Sequence, residues 1–507
     1  LSYILLGATF LLLLGAIAEL FIKSERLSRY VSACFLSISG ALLILASYYS
    51  GVLTNGAVTY TELYSWQPLG LAGFRLDGLS LTFALVIVFL SLVTSIYSGP
   101  YMKDMFQKAG KQRWSEYYFL YLTFIFGMLG AVLATNLIEF YVFFELMLVP
   151  SYFLIAEFGH SGRDKASIAY FLWTHVGALI MLAGLIVMGY SFNTLDMATI
   201  TSETHSAAAG LPSIQLMTII GVAIVIGLMV KMGGFGLHVW LPGAYREAPA
   251  PVSALLSGAM SGIAGYAIIR LVVLALPAAF SAIAPWLLAW GIISLAYGAA
   301  VALAQKDIRL LLSYSSISQM GYMAIGIGSF TTFGLAGSVS LYAANAFAKG
   351  SLFMMAGTLP IAAGSDSMDD LGGLAGRLPG LATFSIIGFI TMMGVPPTVG
   401  FIAEFFLFQG AFAYSASTGL TIIIPLVAII ASVLTSGYSL QAIRRIFYGT
   451  QKPDSSMVHD VLPGMLYPII VLCVASVILG LVPVLFSNSL SFFNSSLAPF
   501  LTSGGVA

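Results

Sequence analysis

Apolar runs of about twenty residues, each long enough to cross the hydrocarbon core of a bilayer as a helix, recur along the whole chain. They fall at 2–22, 30–50, 77–98, 116–135, 137–158, 166–190, 214–240, 252–275, 283–304, 309–328, 331–360, 382–413, 419–443 and 464–486. The pattern predicts an all-α polytopic membrane protein with about fourteen transmembrane helices. The charges between the runs test that count, because one inserted or missed span would scramble their alternation. Alternate loops carry Lys23, Arg26 and Arg29; Lys103, Lys108, Lys111 and Arg113; Arg163 and Lys165; Arg246; Lys306 and Arg309; Arg377; and Arg444, Arg445 and Lys452. The positive-inside rule makes that face cytoplasmic and sends both termini to the other side. Of the remaining basic residues, Arg75 and Arg270 lie at or near the opposite face, while Lys231 and Lys349 fall inside helices. The long non-cytoplasmic loops, 51–76 and 191–213, are polar, with Glu62, Asp196 and Glu203.

Two runs are interrupted, the seventh at Gly233-Gly234-Phe235-Gly236 and the twelfth at Gly394-Val395-Pro396-Pro397. Broken helices at matching places in two halves mark an internal repeat with sites at the breaks. Helices four to eight and nine to thirteen are then the units. Five is odd, so the second unit enters from the opposite face and the repeat is inverted. The expected organisation is a three-helix segment at 1–115, repeats at 116–275 and 283–450, and a C-terminal helix and tail at 451–507.

Composition excludes the soluble classes: 59% of the 507 residues are hydrophobic and 8% charged, with mean hydropathy +0.98, against about 25% charged in soluble proteins. A net charge of zero speaks against a nucleic-acid partner; the lipid bilayer is the partner composition demands. Cys34 and Cys473 lie far apart without ligand spacing, so they are expected to be packing residues and not metal or cluster ligands. There is no phosphate-cradling glycine loop after a strand and no nucleophile–histidine–acid set, so no catalytic centre is expected. The sequence begins at Leu1, not methionine, which leaves the N-terminus open. Its first run is long enough to span and is followed by a basic loop, which reads as a membrane helix and not a cleavable signal.

Four charges stand well inside the apolar segments, away from their ends: Glu145, Lys231, Lys349 and Glu404. An ionisable group at bilayer depth costs roughly 2.5–3.5 kcal/mol on insertion scales and is a functional-site hypothesis by default. The bland alternative, that they merely pair and pin helices, is weaker because burying an ion pair seldom repays its desolvation. Glu145 lies about 13 Å of helical rise into its helix, close to the midplane. Lys231 ends the first half of helix seven, where the helix dipole favours a cation, and Glu404 lies near the start of the second half of helix twelve, where it favours an anion. His175 and His238 are possible relays or simply satisfied buried histidines. Glu139 lies near a membrane boundary and is either a relay or a residue that simply faces the interface, Asp77 reads as a helix N-cap, and Asp307 with Lys306 and Arg309 reads as a solvated loop cluster.

The segments FYVFFELMLVPSYFLI around Glu145, KMGGFGLHVWLPGAYREAPAPVSALLSG from Lys231, DIRLLLSYSSISQMGY from Asp307 and GVPPTVGFIAEF ending beyond Glu404 resemble the antiporter-like subunits of respiratory complex I. Group 4 membrane-bound hydrogenases and Mrp-type sodium/proton antiporters share that family. The resemblance spans nearly the whole chain, and the glutamate in GFIAEF is similar to the branch of subunit 4, bacterial subunit M. It implies that Glu145 and Lys231 form a pair in a first half-channel, that Lys349 is the central lysine and that Glu404 exchanges protons with the far side. It also implies a cofactor-free chain beside partner subunits that hold quinone, flavin and iron–sulfur clusters or a NiFe centre. The partners implied are other membrane-arm subunits and a peripheral redox arm, in a prokaryotic cell membrane. A subunit of an Mrp-type secondary antiporter is the alternative, and a substrate-carrying transporter is a third reading.

This chain departs from the family pattern at three places. Gly262 stands where relatives carry a helix-eight lysine, Gln319 replaces the histidine of the usual SxSHMG, and Tyr245 and Arg246 alter the usual AHxEAP. The expected relay between Lys231 and Lys349 therefore falls to polar residues such as Ser257, Ser261, Ser318 and Gln319, with waters bridging them. Such departures are expected of a divergent archaeal or hydrogenase-type relative, and they leave room for an altered ion specificity.

Overall fold

A computed structural model describes residues 3–66, 70–207, 210–418, 423–450 and 458–503. Lys452 lies outside the described residues, as does the start of the expected thirteenth run. Eleven helices among the described residues are long and apolar enough to cross a membrane: Glu25–Ser50, Gly78–Ala109, Trp114–Leu133, Leu137–Phe158, Arg163–Phe192, Ile214–Met232, Ala250–Leu274, Pro277–Leu303, Thr332–Ala363, Pro425–Phe447 and Pro463–Leu481. The first expected span (Ile4–Glu19), the tenth (Ile308–Gly328) and the twelfth (Pro379–Met392 followed by Val399–Thr418) complete the series. The tenth falls short on hydropathy because serines 313, 315, 316 and 318 dilute it. The eighth and eleventh spans are buried almost throughout and form the centre of the bundle.

Close backbone approach holds the helices, as is usual where no hydrophobic force separates protein from lipid. A Cβ at Gly298 of the ninth span would stand 2.5 Å from the Ser318 amide of the tenth, and one at Gly321 would stand 2.5 Å from the Leu295 amide. The fifth span is kinked at Met147, between Leu137–Leu146 and Leu148–Phe158. Pro150 explains the kink, having no N–H to offer the Leu146 carbonyl. The eighth span is also irregular, with π-helical stretches at Leu256–Met260 and Ile269–Leu274. These two irregular helices add to the two expected breaks.

The inverted repeat is visible in the backbone. Asn136 caps the fifth span and bridges Asp196, while Asp307 caps the tenth and bridges Ser367. The bonds correspond one for one: the Leu137 amide donates to the Leu195 oxygen (2.9 Å) and Met197 to Thr135 (3.0 Å), as Ile308 does to Asp366 (3.2 Å) and Met368 to Lys306 (2.8 Å). The two bridges lie on opposite faces. The first adjoins the loop of Gly73, whose oxygen accepts from Thr135 (3.2 Å); the second adjoins Arg246, which donates to Asp307 (2.9 Å).

Loop 51–76, read as merely polar, contains an antiparallel hairpin, Tyr60–Trp66 with Gly70–Leu76. Its buried Glu62 caps the first helix: the Leu5 and Leu6 amides donate to the two carboxylate oxygens at 3.1 Å, and the Tyr60 and Tyr64 hydroxyls at 2.8 Å. The orphan amides of a helix start are met there by a carboxylate from another element. Loop 191–213 contains a short helix, Met197–His205, capped by Asp196. A last helix, Val484–Ser503, occupies what was expected as tail, and its Asn488 donates to the Leu53 oxygen (2.9 Å).

Asp77 caps the third span as expected, accepting from Leu79 (3.1 Å) and Ser80 (2.9 Å). It also binds Arg270 through two bonds of 2.8 Å and Arg75 at 3.0 Å. Burial alone would raise this carboxyl, but Arg270 and Arg75 hold it well below the usual carboxylate range. Two loop readings are corrected. Glu139 does not face the interface; it is buried and accepts from the Gly73, Thr135 and Asn136 amides (3.1–3.3 Å) as half of a capping box. Arg309 is not solvated: it is 4% exposed and donates to His160, Tyr101 and the Arg246 oxygen, while Lys306 is exposed and Asp307 partly so.

Candidate functional site

The break in the seventh span is clamped from two sides. Gly233 and Gly236 adopt positive φ (73° and 83°), conformations that glycine takes without strain. Trp240 Nε1 donates to the Val230 oxygen (2.9 Å), which at the helix end otherwise accepts only from the Gly233 amide (3.2 Å). The ninth span holds the loop itself. Ser294 accepts from the Phe235 amide (3.0 Å), Trp290 donates to the Phe235 oxygen (2.9 Å), and His238 Nε2 lies 3.2 Å from the Tyr297 hydroxyl.

Lys231 is thereby fixed in the last turn of Ile214–Met232, 1% exposed. Its Nζ lies over the rings of Phe144 (5.5 Å) and Tyr170 (5.4 Å), a cation–π seat. It forms no hydrogen bond or ion pair with any described residue. The expected Glu145–Lys231 ion pair is not closed in this structure. Glu145 Oε2 instead accepts from His175 Nδ1 at 3.0 Å, and its Oε1 has no partner. The side chains of this pair are 21% and 39% exposed, on an outer face they share with Val142, Val149, Trp173 and Val176.

Between the two breaks runs a line of hydroxyls and amides. Ser257 of the eighth span lies 2.8 Å from Ser316 of the tenth, and Asn345 of the eleventh donates to the Ser257 oxygen (3.0 Å). Lys349, fully buried, donates to the Leu312 oxygen (2.9 Å) and to Ser315 Oγ. Ser261 donates back to the Leu256 and Ser257 oxygens (3.2 and 3.1 Å). Tyr245 donates to the Leu256 oxygen (3.0 Å), where the π-turn leaves room for it. Ser318 Oγ is buried with no partner, and Gln319 reaches the Met392 oxygen (3.4 Å) at the second break. There the Glu404 carboxylate lies against Gly394 (φ +66°), whose added Cβ would stand 2.5 Å from Oε2.

Ser315, Ser316 and Asn345 are members of this line that sequence reasoning did not single out. The signal for the two serines was the serine run of the tenth span, read only for Ser318 and Gln319; Asn345 stands apart from it in Thr332–Ala363. The repeat register explains one of them: Glu145 follows its cap Asn136 by nine residues, and Ser316 follows Asp307 by nine. A neutral hydroxyl thus occupies in the second half the place that a carboxylate holds in the first. No group of three or more His, Cys, Asp or Glu side chains that would hold a metal ion occurs among the described residues.

On the loop face, His160 joins the repeats. Its Nε2 accepts from Arg309 and lies 3.3 Å from the Tyr101 hydroxyl. Burial, together with Arg309, Lys108 and Arg246, pushes its pKa down to about 3.

Residues 134–435, which contain both breaks and the line between them, match the model of the NADH:quinone oxidoreductase/Mrp antiporter transmembrane family. The chain belongs to that family. Residues 71–114, the second hairpin strand and the third span, match a second model, the N-terminus of complex I chain 5. The NAD(P)H-quinone oxidoreductase chain 4 of Gloeobacter violaceus is 30% identical over 459 residues, covering 89% of this chain and 84% of that one. The F(420)H(2) dehydrogenase subunit M of Methanosarcina mazei is 30% identical over 489 residues, 93% of each. In fold the chain is similar to one of respiratory complex I from Thermus thermophilus (TM-score 0.83, 24% identity, 97% of this chain and 99% of that). It is also similar to one in the Mrp complex from Dietzia (TM-score 0.85, 22% identity, 99% of each).

Proposed function

We propose that this member of the family is a proton-translocating, antiporter-like subunit in the membrane arm of a redox-driven pump, related to quinone-reducing complex I or membrane-bound hydrogenase. The observation that carries the reading is the series of ionisable and hydroxyl groups held at membrane depth: Glu145 with His175, Lys231, the Ser257–Ser316–Asn345–Lys349 line, and Glu404. Each is costly to bury, and together they run through both repeats. In this reading the units 116–275 and 283–450 are two half-channels. Glu145 moves toward or away from Lys231 and sets its proton occupancy, the central line carries protons to Lys349, and Glu404 exchanges with the far side. The open Glu145–Lys231 arrangement suits a pair that must close and part.

The chain itself supplies the ion path; quinone, flavin and iron–sulfur clusters or a NiFe centre belong to partner subunits in a peripheral arm. The partly exposed Glu145–His175 pair supports a neighbouring membrane-arm subunit, because a carboxylate at that depth does not face lipid. The alternation of basic loops supports termini on the outer side of a prokaryotic cell membrane. Replacing Lys231 by alanine in the purified complex, reconstituted into vesicles, abolishes pumping while the subunits stay assembled; unimpaired pumping refutes the assignment. The likeness to the Mrp chain over its full length supports a second reading, a subunit of a secondary sodium/proton antiporter. Co-purification with iron–sulfur subunits favours the first, and with small membrane chains alone the second.

A further inference from the structure

Gly262 makes room for one specific side chain. A Cβ at that position would stand 2.2 Å from Cδ2 and 2.6 Å from Cε2 of Tyr342, so any larger residue evicts the ring. The ring is fully buried and stacked on Phe83, with centroids 4.1 Å apart and planes at 22°. Those contacts need only a phenyl group. The hydroxyl is buried with no hydrogen-bond partner in the protein, and leaving such a group unsatisfied is destabilising. Packing therefore accounts for the ring and leaves the oxygen unexplained.

Its position supplies an explanation. Tyr342, Asn345 and Lys349 are spaced three and four residues apart along Thr332–Ala363, so they share one stripe of that helix. Asn345 spends its amide nitrogen on the Ser257 oxygen, and its Oδ1, like the tyrosine oxygen, is buried and unpartnered. Buried polar groups are satisfied by protein or by water, and water is the partner these two oxygens require. The stripe thus carries two water-seeking oxygens next to the buried amine.

We propose that Tyr342 is a relay residue of the central line, its ring edge seated in the space left by Gly262 and its hydroxyl exchanging protons with water. In one step the phenolic oxygen accepts a proton from a water on one side and releases its own proton to a water on the other. The residue ends neutral, and one charge has moved past it. Asn345 orients the water on the Lys349 side. The inference rests on the pumping role proposed above.

The test is proton transport by the intact complex in vesicles, measured in H2O and D2O. Tyr342→Phe keeps the ring and the stacking; it is expected to assemble fully, to transport at least about tenfold more slowly, and to show a changed isotope ratio. Tyr342→His restores a group that can take and give a proton and recovers part of the rate. Gly262→Ala displaces the ring and reproduces the loss. Wild-type transport by Tyr342→Phe overturns the proposal, as does a lowered rate with an unchanged isotope ratio and no recovery in Tyr342→His. If Lys231→Ala transports normally, the pumping role fails; if only the Tyr342 variants do, the relay alone fails.

Discussion

His175 Nδ1 holds the Glu145 carboxylate at 3.0 Å, and Lys231, the residue expected to pair with that carboxylate, rests on the rings of Phe144 and Tyr170. Phe144 adjoins Glu145 in the chain, so a small rotation of this kinked stretch of the fifth span changes both seats together. The histidine competes with the lysine for one carboxylate. Removing it frees Glu145 to stay with Lys231.

His175→Leu is accordingly expected to slow pumping by about tenfold without loss of assembly, because a permanently closed ion pair holds the proton that must move on. Glu145→Gln, which keeps a hydrogen-bonding side chain but no charge, is expected to abolish pumping. Fluorescence quenching in reconstituted vesicles measures both; equal activity of His175→Leu and wild type contradicts the competition.

Arg270→Met leaves Asp77 buried with only Arg75 beside it. Breaking a buried pair on one side costs about 3–5 kcal/mol, so the variant complex is expected to melt well below wild type. Asp77→Asn together with Arg270→Met removes both buried charges and is expected to recover most of that loss. Thermal denaturation in detergent distinguishes the two; equal melting temperatures for the single and double variants refute the account.

The spans were legible because lipid demands apolar runs of a fixed length. The two breaks were legible because each gathers helix-breaking residues, three glycines in four at one and a glycine with two prolines at the other, where close packing needs only single glycines. What stayed hidden depends on partners distant in the chain. Glu62 reads as a loop acid until the first helix is seen to start on it, and Arg309 reads as solvated until His160 and Tyr101 cover it. The kink at Met147 was in principle readable from Pro150. The line through Ser316 and Asn345 was not, because a serine in an apolar helix usually bonds its own backbone, and only the packing of the eighth span against the tenth and eleventh brings these side chains together.

His160 makes the loop face sensitive to acid. Its pKa falls from an ordinary 6.5 to about 3 in the folded protein, so between those values the unfolded chain binds a proton that the folded chain does not. Stability then rises with pH across that window and is lost as pH falls below about 6.5, by up to about 1.4 kcal/mol per unit. His160→Gln keeps an acceptor for Arg309 and is expected to flatten this dependence. Melting temperatures of the purified complex between pH 7 and pH 4.5 test it, and parallel wild-type and variant curves exclude His160 as the source.

Gly394, the glycine of the second break, is expected to resist replacement for two independent reasons. Its φ of +66° disfavours any side chain by roughly 1 kcal/mol or more, and its Cβ position is filled by the Glu404 carboxylate at 2.5 Å. The first effect weakens the loop and the second moves the proton-exchanging group. Gly394→Ala is therefore expected to lower pumping by more than about tenfold, beyond what its modest instability explains. Gly364 provides the control, since it has positive φ (79°) but nothing within 4 Å of its Cβ position. Gly364→Ala carries the backbone cost alone and is expected to assemble and pump nearly as well as wild type. Pumping rates normalised to assembled complex compare the two, and an equal loss in both variants assigns the effect to the backbone and not to Glu404.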